Sequence, residues 1–108
     1  MPEQILQVNF GLNVTAAQYR DIADSVAESF ARVPGLRWKV WFLNEEQRAA
    51  GGIYLFENQP ALNRFLTSEL ATIVATHPAL RDVTLKHAEV MPNVTAMTRG
   101  PIGGAVTV

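Results

Sequence analysis

Four polar side chains that could take part in acid–base or hydrogen-bonding chemistry occur at Asn9, Tyr54, His77 and His87. An imidazole titrates near neutral pH, so His87 is a candidate general base and His77 is the alternative. Asn9 and Tyr54 could donate hydrogen bonds to an oxygen that develops negative charge. Asn9 interrupts an apolar segment, where a buried amide must find a partner or lower stability. We predict that these four residues form the catalytic set.

Candidate walls of a substrate pocket share an aromatic side chain: Trp38, Trp41, Phe42 and Phe56. Strand alternation puts Trp38 and Phe42 on one face and Trp41 on the face of Arg37 and Lys39. Core packing is the favoured interpretation of Trp38 and Phe42, which makes Trp41 the better pocket candidate. Arg37 and Lys39 could bind an acidic substrate, although solvated side chains are the simpler interpretation of both.

The first half of the chain predicts a strand, a helix and a second strand. Apolar residues alternate with polar ones from Gln4 to Phe10, as in a half-buried strand. Thr15 can cap a helix, with Gln18 at the capping-box position, and Pro34-Gly35 ends it. The segment from Leu36 to Asn44 is rich in aromatic and β-branched residues, which favours a strand.

The second half predicts a strand, a helix and a last strand. Gly51-Gly52 opens a strand from Ile53 to Glu57, after a loop short enough to imply an antiparallel hairpin, and the two glycines are expected to serve the hairpin backbone. Asn58 is a plausible N-cap for one helix whose apolar stripe runs from Leu62 to Val74. That helix ends at His77-Pro78, and the last strand runs from Asp82 to Met91.

The resulting order, βαββαβ, predicts an α+β ferredoxin-like domain over residues 1–93. Its four-stranded antiparallel sheet would carry both helices on one face and leave apolar side chains on the other. An open apolar sheet face predicts a homodimer, in which two sheets packed face to face make a dimeric α+β barrel. Residues 94–108 have no clear hydrophobic periodicity, and we predict that they form a tail that either wraps the partner subunit or is disordered.

Composition narrows the classes of function. The chain is 48% hydrophobic and only 18% charged, which leaves apolar surface for an interface or a pocket. No basic run marks a nucleic-acid binder, and no cysteine is present for a disulfide or a thiolate metal site. We expect no signal peptide, no membrane span and no metal, and take the cytoplasm as the default location.

Two segments resemble a known family: Pro34-Gly35-Leu36-Arg37-Trp38-Lys39-Val40-Trp41 and Ala50-Gly51-Gly52-Ile53-Tyr54-Leu55-Phe56. They are similar to the YdhR-type monooxygenases of the antibiotic-biosynthesis-monooxygenase-like superfamily. The likeness covers the chain from the first strand to Met91. It implies a dimeric α+β barrel and an oxygenase that acts without metal, flavin or haem.

Such an oxygenase needs a substrate that supplies its own electrons, such as a deprotonated anthrone or hydroquinone. The protein must then offer a base, a donor for the enolate or phenolate oxygen, and a dry pocket. We expect O2 to oxidise a small aromatic or polyketide-like substrate in this way.

Two alternatives stay open. Haem-degrading enzymes of the superfamily also resemble the chain, with Asn9 on the first strand and His77 after the second helix. They carry a tryptophan where this chain has Phe56, which argues against haem turnover. The other alternative is a non-catalytic module that binds a small aromatic or a stress-related metabolite.

Overall fold

The computed structural model describes residues 2–103. Its elements follow the chain in this order: β1 (Gln4–Leu12), α1 (Ala16–Ala31), β2 (Leu36–Asn44), β3 (Ala49–Phe56), α2 (Gln59–Leu66), α3 (Glu69–Thr76), β4 (Leu80–Glu89) and α4 (Pro92–Met97). The strands form one antiparallel sheet in the order β2-β3-β1-β4. The predicted ferredoxin-like α+β fold is therefore confirmed.

The core lies between the sheet and the helices that follow β1 and β3. Alternate residues of β1, from Leu6 to Leu12, point to this helix-covered face and are buried. Tyr54 and Phe56 of β3 meet Phe65 of α2 there, with ring centroids 5.3 and 5.5 Å from it. The period of two in the strands thus selects which residues can reach a site beneath the helices.

The capping signals of the sequence operate as expected. The Thr15 side chain accepts from the Gln18 backbone N–H at 3.1 Å, and the Gln18 side chain accepts from the Thr15 N–H at 2.9 Å. Asn58 caps α2 through the N–H of Ala61 at 2.9 Å. These bonds satisfy donors that a helix start leaves without partners, so α1 and α2 begin where the sequence predicts.

The expected single helix between the Asn58 cap and His77-Pro78 is wrong, because the helix is interrupted after α2. Ser68 donates its hydroxyl to the Phe65 carbonyl at 2.6 Å and accepts from the Ala71 N–H at 3.2 Å. A short hydroxyl side chain that bonds the backbone in this way ends one helix and caps the next. The outcome is α3, none of whose side chains is fully buried.

Residues beyond β4 turn back on their own sheet. They form α4, a helix that the sequence did not predict and that crosses the expected boundary at residue 93. Trp38 Nε1 then donates to the Pro101 carbonyl at 2.7 Å, which holds this segment over one end of the sheet face that α1 to α3 leave open. Contact of the tail with a partner stays a prediction, and residues 104–108 lie outside the described part.

Candidate active site

A partly open apolar pocket lies between the helix-covered sheet face and helices α1 and α3. It encloses about 60 Å³. The residues that line it come from β1, α1, β2, β3, α3 and the turn into β4: Phe10, Tyr19, Ile22, Ala23, Val26, Phe30, Lys39, Trp41, Gly51, Gly52, Tyr54, Leu70, Ile73, Val74, His77 and Leu80. Among them the ionisable side chains are two tyrosines, one lysine and one histidine, which suits a small aromatic ligand with few polar atoms.

The Lys39 ammonium group is enclosed by aromatic ring faces. Its Nζ lies 3.5 Å from the ring centroid of Phe30, 3.4 Å from that of Trp41 and 4.6 Å from that of Tyr54. Burial lowers the pKa of Lys39 to about 7. The ring faces attract the charged form, so the neutral amine and the ammonium are both accessible near neutral pH.

A glycine on the neighbouring strand makes room for this lysine. Lys39 pairs with Tyr54, and Gly52 lies diagonally beside it on the same face. A Cβ at Gly52 would stand 2.7 Å from Lys39 Cε, so any larger residue displaces the lysine chain. Gly51 and Gly52 both lie within β3, in the backbone of the hairpin that β2 and β3 form.

A bulge in β2 decides which side chains reach the pocket. Leu36 pairs with Phe56 but Trp38 pairs with Leu55, so the register shifts by one residue between them. Beyond that shift Lys39 and Trp41 point beneath the helices, while Trp38 points to the open face. Regular alternation along the strand would put Leu36 and Trp38 on the same face, and the bulge separates them.

Tyr54 and Tyr19 supply hydroxyl groups to the pocket. Burial, with a smaller contribution from neighbouring Tyr19, raises the pKa of Tyr54 above its ordinary value. Burial also raises the pKa of Tyr19. Both phenols therefore stay protonated at physiological pH and can act as hydrogen-bond donors to a ligand oxygen.

His77, at the end of α3, is the second of the four predicted catalytic residues to line the pocket. Its Nδ1 accepts a hydrogen bond from the Ala79 backbone N–H at 3.0 Å. A neutral imidazole has one accepting nitrogen, and this bond uses it, so the proton resides on Nε2. In this tautomer His77 can donate to a ligand but has no free basic nitrogen.

The structure does not bring the other two predicted catalytic residues to the pocket. His87 pairs with Leu6 on the edge strand β4, where it is exposed. Asn9 pairs with Gly51 on β3 and lies on the open face, where its Oδ1 accepts from Gln7 Nε2 at 3.4 Å. Their catalytic roles remain predictions without support from this geometry.

Among the residues predicted to contact the substrate, only Trp41 lines the pocket. Phe56 is fully buried in the core beside the pocket. Phe42 lies on the open face, since a Cβ at Gly51 would stand 2.6 Å from its ring. Arg37 Nε lies 3.1 Å from Glu3 Oε2 in an ion pair outside the pocket.

Sequence reasoning missed the pocket position of Tyr19, and it considered Lys39 only as a contact for an acidic substrate. Tyr19 belongs to the apolar stripe of α1 and gave no signal beyond core packing. Lys39 could have been found from Gly52, because a glycine inside a strand often marks the close approach of another group. Without the register of the hairpin, that group could not be identified.

A tetrapyrrole does not fit the pocket as it stands. The pocket's volume of about 60 Å³ is far below the ~300–1,000 Å³ typical of ligand sites, so a tetrapyrrole would need a wider pocket, as a tricyclic aromatic would to a smaller extent. His77 is the one imidazole in the wall, and its Nδ1 is already bonded to Ala79. Across residues 2–103, no three side chains of the metal-ligating types cluster. No described helix is long and apolar enough to cross a membrane.

Comparison with known proteins supports this architecture. Residues 5–101 match the family model described as "Putative mono-oxygenase ydhR". No curated protein sequence matches the chain.

Solved structures with the same fold include a mutant of SnoaB, a cofactor-independent oxygenase from Streptomyces nogalater (18% identity, 86% of this chain and 95% of that one, TM-score 0.63). Another is described as a putative antibiotic biosynthesis monooxygenase from Deinococcus radiodurans (15%, 81% and 91%, 0.65). A third is described as a dimeric protein of unknown function with a ferredoxin-like fold from Bacteroides fragilis (16%, 82% and 96%, 0.62).

Proposed function

The chain belongs to the YdhR-type mono-oxygenase family, and we propose that it oxidises a small aromatic or quinol-type substrate with O2 without a cofactor. The observation that carries this proposal is the pocket beneath α1 and α3, whose wall is apolar and aromatic except for a few polar groups. A dry cavity of this kind protects a reactive carbanion from water and strengthens every hydrogen bond made to it. SnoaB, a protein with this fold, is described as a cofactor-independent oxygenase, which supports the proposal.

The chemistry follows from the spin state of oxygen, which reacts slowly with closed-shell molecules. Once a substrate such as anthrone has lost a proton, its carbanion can transfer an electron to O2 and combine with it. Anthrone plus O2 then gives anthraquinone plus water. We assign to Tyr54 and His77 the donation of hydrogen bonds to the substrate oxygen that carries negative charge.

Entry of such a substrate requires the pocket to widen. Its outer wall is formed partly by α3, where Ile73 is 46% exposed and no side chain is fully buried. A helix with few buried contacts is displaced at low cost in free energy. We therefore assign the mouth of the pocket to the gap between α1 and α3, with Ile73 at its rim.

We further propose that the protein is a homodimer, joined through the open face of its sheet. That face carries Val40, which is 53% exposed, together with the half-buried Phe42 and Ile53. The description of the related Bacteroides fragilis protein as dimeric supports this assembly. Sedimentation equilibrium should therefore give twice the 11.9 kDa chain mass, and a stable monomer at micromolar concentration would contradict the proposal.

Replacing Tyr54 by phenylalanine should lower kcat for oxygen uptake with anthrone by about 100-fold, because one donor to the developing oxyanion is lost. The ring is kept, so its packing against Phe56 and Phe65 should survive. Oxygen consumption by a Clark electrode measures the rate. Ser25→Ala is the matched control, since it removes an exposed hydroxyl from α1.

The same assay separates the remaining interpretations. An unchanged kcat in Tyr54→Phe would contradict the donor role. His77→Ala and His87→Ala test base catalysis by histidine, which is wrong if both leave the rate unchanged. Tight binding of aromatics with no oxygen uptake would favour the non-catalytic binding module.

A further inference from the structure

Lys39 is the one amine among the described residues of the pocket, and the proposed donors leave it unused. Its Nζ is surrounded by the faces of Phe30, Trp41 and Tyr54. Among the described residues, no carboxylate lines the pocket. The ion pairs found within residues 2–103 involve arginines only, so the described structure offers Lys39 no anionic partner.

Every other titratable group that faces this pocket is an acid or a donor in its resting state. Tyr19 from α1 and Tyr54 from β3 are protonated phenols. His77, after α3, has its accepting nitrogen bonded to the Ala79 N–H. The pocket therefore contains a basic nitrogen only when Lys39 is uncharged.

We propose that the neutral amine of Lys39 is the proton acceptor for an acidic aromatic substrate, either a phenol or an enolisable ketone of the anthrone type. In this step an O–H or C–H bond of the substrate breaks and an N–H bond forms on Nζ. The electron pair stays on the substrate as a phenolate or enolate, and oxygen takes no part. The inference rests on the proposed function, since it names the base and the substrate class of that same site.

The surroundings favour the products of this transfer. The new ammonium lies against ring faces that attract cations, and it faces the anion that it has just created. Opposite charges attract more strongly in a site of low dielectric constant than in water. The Tyr19 and Tyr54 hydroxyls can donate hydrogen bonds to the anion. Lys39 therefore accepts the proton, and the two tyrosines stabilise the negative charge that remains on the substrate.

Burial holds the pKa of Lys39 near 7, which keeps the neutral amine populated at physiological pH. A general base works best when its pKa is close to the working pH. An arginine in the same place would keep its charge and could not accept a proton.

The test follows proton removal without oxygen. Anthrone is incubated with the protein in D2O under argon, and loss of its methylene proton signal is followed by NMR for wild type, Lys39→Met, Lys39→Arg and Lys86→Met. We expect wild type to accelerate exchange, with a rate that rises with pH and levels off above about 7. Both Lys39 variants should lose about 100-fold or more of this acceleration. Lys86→Met, which changes the only other lysine, on exposed β4, should keep it.

A further variant tests the same role in case Lys39→Met and Lys39→Arg do not fold. Gly52→Ala leaves the amine in place but puts a Cβ 2.7 Å from the present position of Lys39 Cε, so exchange should slow because the base is displaced. Circular dichroism verifies that each variant folds.

The outcomes distinguish a failure of the proposed Lys39 base from a failure of the proposed oxygenase function. Lys39-dependent exchange without oxygen uptake by any variant would support the base and contradict the proposed function. Oxygen uptake that Lys39→Met leaves at the wild-type rate would overturn the base and leave the function standing. Exchange that is absent in wild type, or retained in Lys39→Arg, would overturn the inference.

Discussion

Replacing Phe56 by alanine should lower the free energy of unfolding by about 3–5 kcal/mol, since it removes a fully buried aromatic ring. The Phe56 ring stacks on Tyr54 at 6.0 Å and meets Phe65 at 5.5 Å. The cavity left behind would be bounded by strand and helix backbone, which relaxes only in part. Urea unfolding followed by circular dichroism measures the change.

Phe42→Ala is the matched control for this variant. Phe42 carries the same side chain but lies half-buried on the open sheet face. Its loss should cost less, provided both variants are compared at one protein concentration, because dimerisation links stability to concentration. Equal losses in the two variants would contradict the placement of Phe56 at the centre of the core.

Replacing Lys39 by methionine should remove a pH dependence of stability that the wild type shows between about pH 7 and pH 9. In this window the unfolded chain keeps the lysine proton, because the ordinary pKa is 10.5, while the folded chain releases it near 7. The unfolded state then binds more protons, so the stability of the wild type rises with pH. The slope cannot exceed about 1.4 kcal/mol per pH unit from this one group.

Below pH 7 the folded protein carries a half-buried ammonium to which residues 2–103 offer no anionic partner. The Lys39→Met protein should therefore be more stable than wild type at pH 6, by about 1–3 kcal/mol, and the difference should shrink towards pH 9. Denaturant unfolding at a series of pH values gives both curves. Lys86→Met serves as the control, and a Lys39→Met difference that is constant with pH would refute the shifted titration of Lys39.

The fold was predictable because local signals and periodicity agree with the tertiary structure. Thr15 and Gln18 form the expected capping box, and alternation in β1 puts Leu6 and Val8 in the core. The break at Ser68 was missed, because the apolar stripe continues across it while a hydroxyl bonded to the backbone interrupts the helix.

The site was less predictable, since it depends on register. Strand alternation alone could not reveal the bulge that separates the faces of Leu36 and Trp38. Nor could it show that Lys39 crosses Gly52 to reach three rings from separate elements. The tautomer of His77 is likewise set by a backbone N–H that only the folded turn supplies.

The break at Ser68 also separates the selective constraints on α2 from those on α3. Substitutions in α2 strike Ala61, Leu62 and Phe65, which are buried, and so they are constrained by the need to fold. Substitutions in α3 change the pocket wall, while none of its side chains is fully buried. If the proposed function holds, substitutions in α3 should therefore change which aromatic substrate fits, with little loss of stability of the fold.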